Sequence, residues 1–139
     1  MEHLNSYIST VQAIPAKSHV AGALSVSTVD ASGGYDRARF VISLGAFGSG
    51  GGIKVEVTQS ATSGGTYTLI ASSACDQLVS TSANKVIVID VPVSGSKPYL
   101  KLRGTAYTAA VLAGGICDLY KGSRAMPPST SVLADYVVV

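Results

Sequence analysis

The sequence predicts an all-β domain, an antiparallel β-sandwich or jelly-roll-like fold of about seven or eight strands with extended N- and C-terminal arms. Three observations predict it. Apolar and polar residues alternate with period two along much of the chain. Turn residues interrupt that alternation every ~8–12 positions. The composition, with 47% apolar residues, 13% charged residues, 15 glycines and no tryptophan, is that of a turn-rich sheet protein and not of a helical bundle. A chain of 139 residues fits one domain, and a globule of that size buries roughly two thirds of the surface its unfolded chain exposes, enough for a real core.

Taken in order, residues 1–19, which carry Pro15, read as an N-terminal arm, residues 20–121 as the sandwich and residues 122–139 as a C-terminal arm. Residues 20–29 form the first strand of the domain, turned by Ser32-Gly33-Gly34. The run Ala38-Arg39-Phe40-Val41-Ile42-Ser43-Leu44 places Phe40, Ile42 and Leu44 on one side, and Ile53-Lys54-Val55-Glu56-Val57-Thr58 is a half-exposed strand with its charges on the other face. The glycine run from Gly48 to Gly52 is expected to join these two as a hairpin loop. After Gly64-Gly65, the segment Thr66-Tyr67-Thr68-Leu69-Ile70-Ala71 returns as a third strand, giving a meander. Helix has little room, and a short turn over residues 73–78 is the one candidate.

Lys85-Val86-Ile87-Val88-Ile89-Asp90-Val91 carries aliphatics on both faces, as a central strand covered on two sides does, and Pro92 ends it. Tyr99-Leu100-Lys101-Leu102-Arg103-Gly104 alternates again with its two cations outward. Residues 109–120 supply a last long strand, in which Gly114-Gly115 marks a bulge or a close backbone approach. Beyond it, Met126-Pro127-Pro128 favours extended geometry, and Ala134-Asp135-Tyr136-Val137-Val138-Val139 is a strong β-former that would be an aggregation hazard if left unpaired. Two placements follow for it: an edge strand of its own sheet, or an arm that adds a strand to a neighbouring subunit. Pro127, Pro128, Val132, Leu133, Tyr136, Val137, Val138 and Val139 are therefore the candidate interaction residues.

The residues that could carry chemistry do not fall into catalytic patterns. A phosphate-binding loop needs Gly directly before Lys and a helix after it, whereas Ile53 precedes Lys54 and a strand follows. Ser94-Gly95-Ser96-Lys97 has a Ser-x-x-Lys spacing, but Pro98 and the next strand deny it the helix that would bring the two together, so it reads as a turn. His3 and His19 stand apart from any Asp or Cys cluster and are expected to face solvent. Cys75 and Cys117 lack zinc spacing and read as buried thiols, with a disulfide between them as the sharper alternative. Asp30, Asp36, Asp76 and Asp118 suit turn and capping roles at strand ends. The ten Lys and Arg are scattered, and the formal charge is +2, which gives no nucleic-acid footprint. No apolar run reaches the ~18 residues of a membrane span, and Met1-Glu2-His3-Leu4-Asn5 does not begin a signal segment. The expectation is a protein without catalytic, cofactor or metal residues, made in the cytosol, with no direct nucleic-acid or membrane partner.

The order of segments resembles a known family. Thr10-Val11-Gln12-Ala13-Ile14, then Gly34-Tyr35-Asp36 with Ala38-Arg39-Phe40-Val41-Ile42-Ser43-Leu44-Gly45, then Ile53-Lys54-Val55-Glu56-Val57-Thr58-Gln59-Ser60 and a Gly-x-Tyr-Thr turn, is similar to small virion-associated proteins of tailed phages and prophages. Lys97-Pro98-Tyr99-Leu100-Lys101-Leu102-Arg103 and Ala113-Gly114-Gly115-Ile116-Cys117-Asp118-Leu119-Tyr120-Lys121-Gly122 match that family's closing strands, so the likeness spans roughly residues 10–128. The resemblance implies a capsid cement or decoration protein on the virion surface, assembled in the host cytoplasm. Its implied partners are the major capsid protein and copies of itself in a homotrimer or other homo-oligomer. A tail, connector or fibre-base component fits the same pattern, and the seven tyrosines leave a carbohydrate-binding module as the alternative from another class.

Overall fold

A computed structural model describes residues 8–122 and 133–139. The chain is all-β: two sheets face each other and enclose one core. Strands run β1 (Ile8–His19), β2 (Gly22–Ala23), β3 (Val29–Asp30), β4 (Arg37–Phe47), β5 (Gly52–Ser60), β6 (Thr68–Leu69), β7 (Leu78–Val79), β8 (Val86–Pro92), β9 (Tyr99–Tyr107), β10 (Val111–Tyr120) and β11 (Leu133–Val138). Four of these are two-residue pieces, so seven long strands carry the sandwich, and the total exceeds the seven or eight read from the sequence. One sheet, A, has the order β1-β10-β4-β8-β11; the other, B, is built on β2-β9-β5-β6 with β3 on β9 and β7 on β5.

The alternation read from the sequence is what builds the core. Phe40, Ile42 and Leu44 of β4, Ile87, Ile89 and Val91 of β8, and Cys117 and Leu119 of β10 line the inner face of sheet A. Ile53, Val55 and Val57 of β5, with Leu100 and Leu102 of β9, answer from sheet B. Lys101 and Arg103 fall on the outer face of β9 as expected, and Arg103 stands directly across from Glu56. β8 lies between β4 and β11 with its centre wholly buried, the covered strand that its two-faced aliphatic pattern indicates.

The structure differs from the expected meander in three places. β4 and β5 belong to different sheets, so the run Gly48 to Gly52 is an arch between layers and not a hairpin loop. Gly48 N donates to Ala110 O (2.8 Å) and Gly51 N to Gly48 O (2.8 Å), which folds the arch against the start of β10. Residues 20–29 yield only β2 and β3, because Leu24 turns inward and its amide bonds Gly104 O outside any ladder (3.0 Å). Residues 73–78 form no helix: Cys75 N donates to Val55 O and Ser73 Oγ bonds both Val57 N and Val57 O, so this stretch runs along β5, and the one helical turn among the described residues is the 3-10 piece Ser80–Ser82.

The ends also enter the sheet. Residues 8–19, assigned to the N-terminal arm, pair with β10 as β1, burying Ala13 and Ile14; residues 133–138, assigned to the C-terminal arm, pair in parallel with β8 as β11. Gly114 and Gly115 mark a close approach: a Cβ on Gly114 would come within 2.9 Å of Ala16 Cβ, and one on Gly115 within 3.2 Å of Ile42 Cγ1. The accompanying register shifts fall on β1, at 12–14 and 14–17.

Phe40 is fully buried between the sheets whereas Val20 is 75% exposed. Phe40→Ala is therefore expected to cost about 3–5 kcal/mol of unfolding free energy, and Val20→Ser to stay within ~0.5 kcal/mol of the parent; urea titrations followed by circular dichroism measure both.

Candidate functional site

The two outer faces differ in chemistry. On sheet B, Arg103 pairs with Glu56 through one carboxylate oxygen at 2.5 Å, and Lys101 Nζ sits 5.5 Å from the centre of the Tyr67 ring. Lys54, Thr105 and the exposed Tyr107 complete a polar surface. These exposed pairs are worth little individually and keep the face solvated.

On sheet A the outer face is largely apolar where β1, β10 and β4 meet. The register places Gln12, Ile116, Val41, Val88 and Tyr136 in one row across all five strands, and Thr10, Asp118, Arg39, Asp90 and Val138 in the next. A groove of about 790 Å³ runs here, floored by Gly114 and Gly115 and walled by Val41, Leu112 and Ile116, with Lys17 as its charged group. Leu112 and Ile116 remain 48% and 42% exposed. The glycines make the groove: Leu112 lies over Gly45, where a Cβ would stand 2.7 Å from its Cδ2, and Ala16 lies over Gly114.

At the opposite end of this face a buried ionic cluster ties the strands together. Arg37 Nε donates to Asp90 Oδ1 at 2.6 Å, and Tyr120 OH donates to Asp90 Oδ2 at 2.5 Å. The side chain of Asp90 is 1% exposed and that of Arg37 16%. Burial alone would push the Arg37 guanidinium down, but the hydrogen bond and charge of Asp90, with Tyr120 adding to them, outweigh it and hold it above its ordinary value. Val139 N donates to Asp90 O (3.0 Å), which sets the phase of the β8–β11 ladder. In a parallel ladder Val139 O would then accept from the amide of residue 92. That residue is Pro92, with no N–H, and Arg37 Nη2 supplies the missing donor at 2.9 Å.

Of the candidate interaction residues, Pro127, Pro128 and Val132 lie outside the described residues. Leu133, Tyr136, Val137, Val138 and Val139 come together in and beside β11: Val137 and Val139 pack on the core, while Tyr136 and Val138 stand in the outer-face rows. Asp135 bonds Asp76 N through Oδ2 (2.9 Å) and Tyr136 N through Oδ1 (2.8 Å). The sequence reading of the carboxylates is mixed. Asp30 closes a turn with Ser32, whose hydroxyl first and amide second (Ser32 N to Oδ1, 2.9 Å) hydrogen-bond its carboxyl and hold it below the ordinary value, and Asp36 accepts from Gly122 N (2.7 Å). Asp118 sits inside β10 and accepts from Thr10 Oγ1 (2.5 Å). Asp90 was not singled out, although a lone acid among aliphatics on a covered strand has to be paired.

His19 corrects the expectation of a solvent-facing imidazole. It is 3% exposed, and its Nε2 lies 3.1 Å from Pro15 O and 3.2 Å from Ala113 O; both partners accept, so Nε2 carries the proton. The irregular stretch around Pro15 turns the ring inward. His3 lies outside the described residues. Cys75 and Cys117 are buried and unbridged, and burial raises both thiols above their ordinary value, Cys117 far above it. Ser94 and Lys97 close a turn, Lys97 N donating to Ser94 O at 3.1 Å. Among the described residues no three His, Cys, Asp or Glu side chains come together as a metal site, and no helix is long and apolar enough to cross a membrane.

Arg37→Met strands a buried carboxylate and is expected to cost about 3–5 kcal/mol of stability, most of it recovered in Arg37→Met/Asp90→Leu; urea titrations of the two variants and the parent check this. A raised thiol pKa leaves little thiolate at neutral pH. Neither cysteine should react with a thiol reagent in the native protein, and both should react once it is unfolded in urea, as read by absorbance.

Comparison with family models and with curated proteins finds no match to this chain.

Proposed function

We propose that this chain is a structural virion protein of a tailed phage, a capsid cement or decoration protein that works by contact and not by catalysis. The observation that carries the reading is the apolar groove on the outer face of sheet A. It is bordered by exposed Leu112 and Ile116 on one layer of a sandwich whose other outer face is polar. Isolated apolar side chains on a surface mean little, but a contiguous groove floored by glycines is shaped to receive aliphatic side chains of another protein. The resemblance in segment order to virion-associated proteins supplies the partner class: a shell lattice, to which the sandwich adds buried area. Lasting attachment needs interfaces of ~1,600 Å², so the groove is the centre of a larger contact.

Leu112→Asp or Ile116→Asp would bury a carboxylate in that contact, and each is expected to weaken binding to purified empty shells at least about tenfold, whereas Lys54→Ala on the polar face leaves binding unchanged; co-sedimentation with shells reads the difference. Shells that are equally resistant to heat and to indentation with and without the protein would remove the reinforcing role.

A further inference from the structure

We propose that β11 joins two copies of this chain edge to edge, antiparallel across a two-fold axis, so that the two five-stranded sheets become one continuous sheet. The inference is separate from shell docking, which uses the face of sheet A and not its edge.

Every sheet ends in strands with unpaired backbone groups, and proteins blunt those ends. Here three ends are blunted. The outer strand β1 carries two register shifts, Pro15 without an N–H and the exposed Lys17, and its Ala13 O is already taken by Ser27 N at 2.9 Å. Sheet B finishes in β2, β3, β6 and β7, each two residues long. β11 is the exception: six residues, with no proline or lysine, paired among the described strands only with β8.

The phase of the ladder shows which groups are open. Because Val139 N donates to Asp90 O, alternation turns the amides and carbonyls of Val137 and Val139 toward β8 and those of Tyr136 and Val138 away from it. Tyr136 N takes Asp135 Oδ1 as a local acceptor (2.8 Å), and Asp135 is held by Asp76 N, so the first half of the strand is guarded. Among the described residues, the groups of β11 left without a ladder partner are Tyr136 O, Val138 N and Val138 O.

That short stretch is its own complement. With Val137 on the two-fold, Tyr136 of each copy faces Val138 of the other; each outward Val138 amide meets an outward Tyr136 carbonyl, and each Val138 carbonyl can take the Tyr136 amide from Asp135. No acid faces an acid, since Asp135 lies opposite Val139. Val137 meets Val137 in a close non-hydrogen-bonded pair of β-branched side chains. Because Val137 and Val139 already pack on the core, the pairing makes the two cores continuous. An isologous contact needs this self-complementarity.

Sedimentation of the purified full chain over a concentration series, without shells, is expected to show a doubling of mass. Val138→Pro removes an outward amide that the protomer's own ladder does not use, and should abolish the doubling while the urea midpoint stays near the parent. Val137→Cys should form a disulfide-linked dimer under mild oxidant at least ten times faster than Leu112→Cys. A parent that stays monomeric at every concentration, or assembles in an odd number, overturns the proposal. So does a Val138→Pro variant that dimerises like the parent, the result expected if copies exchanged β11 onto each other's β8. If Val138→Pro does not fold, the cross-linking comparison decides: equal rates for the two cysteine variants overturn it.

Discussion

A carboxylate cannot be taken out of water alone, and the architecture of sheet A is organised around one that is. Asp90 sits on a strand flanked on both sides, and its two oxygens are met by Arg37 from β4 and Tyr120 from β10. Its backbone oxygen receives Val139 from the end of β11. Four of the five strands of the sheet thus meet at one residue. The pair is no simple source of stability, because desolvating two ions offsets much of their attraction. What it imposes is register. A slip of β11 by one position would move Val139 O out of reach of the guanidinium that replaces the absent Pro92 amide, and would turn Val137 and Val139 away from the core.

The same economy separates the roles of the two sheets. Sheet B keeps its outer face wet with Lys54, Glu56, Lys101 and Arg103, and its margins are two-residue strands that offer nothing to pair with. Sheet A carries long strands, a glycine-floored apolar groove and an edge left open at Tyr136 and Val138. Glycine is costly within a strand, yet Gly45, Gly114 and Gly115 lie in or beside this groove, where side chains from neighbouring strands occupy the space their own would fill. The cost is concentrated on the face that the assembly reading needs and is absent from the strand interiors of sheet B apart from Gly104, over which Leu24 lies.

The class of fold was legible because most inward residues obey one rule, burial on alternate positions, which β4, β5 and β9 display, while β8 shows the continuous burial of a strand covered on both faces. The pairing of strands was not. Phe40-Val41-Ile42 and Ile53-Lys54-Val55 would read alike whether they shared a sheet or faced each other across the core, and the flexible glycine run between them permits both. A hairpin was the local choice; the arch was decided by β8 and β10, distant in sequence, which flank β4. His19 escaped for a related reason: its two acceptors, Pro15 O and Ala113 O, come together only after β1 bulges against β10. Asp90 could have been found. A single acid inside Val88-Ile89-Asp90-Val91 demands partners, and Arg37 and Tyr120 were available at the ends of strands already identified.

The placement of the chain ends bears on how such a protein can assemble. An arm that orders only when it meets a neighbour loses conformational freedom at that moment, roughly 1–2 kcal/mol per residue of backbone, and needs a long contact to offset it. β11 has met that cost within its own protomer, held by Arg37, by Asp76 and by the core packing of Val137 and Val139. A contact made through a strand already in place starts from a rigid edge, so even the few hydrogen bonds at Tyr136 and Val138 count nearly in full. In the proposed dimer, burying Val137 and Val139 at home would therefore not remove these residues from assembly; it would make them a template and not a tether.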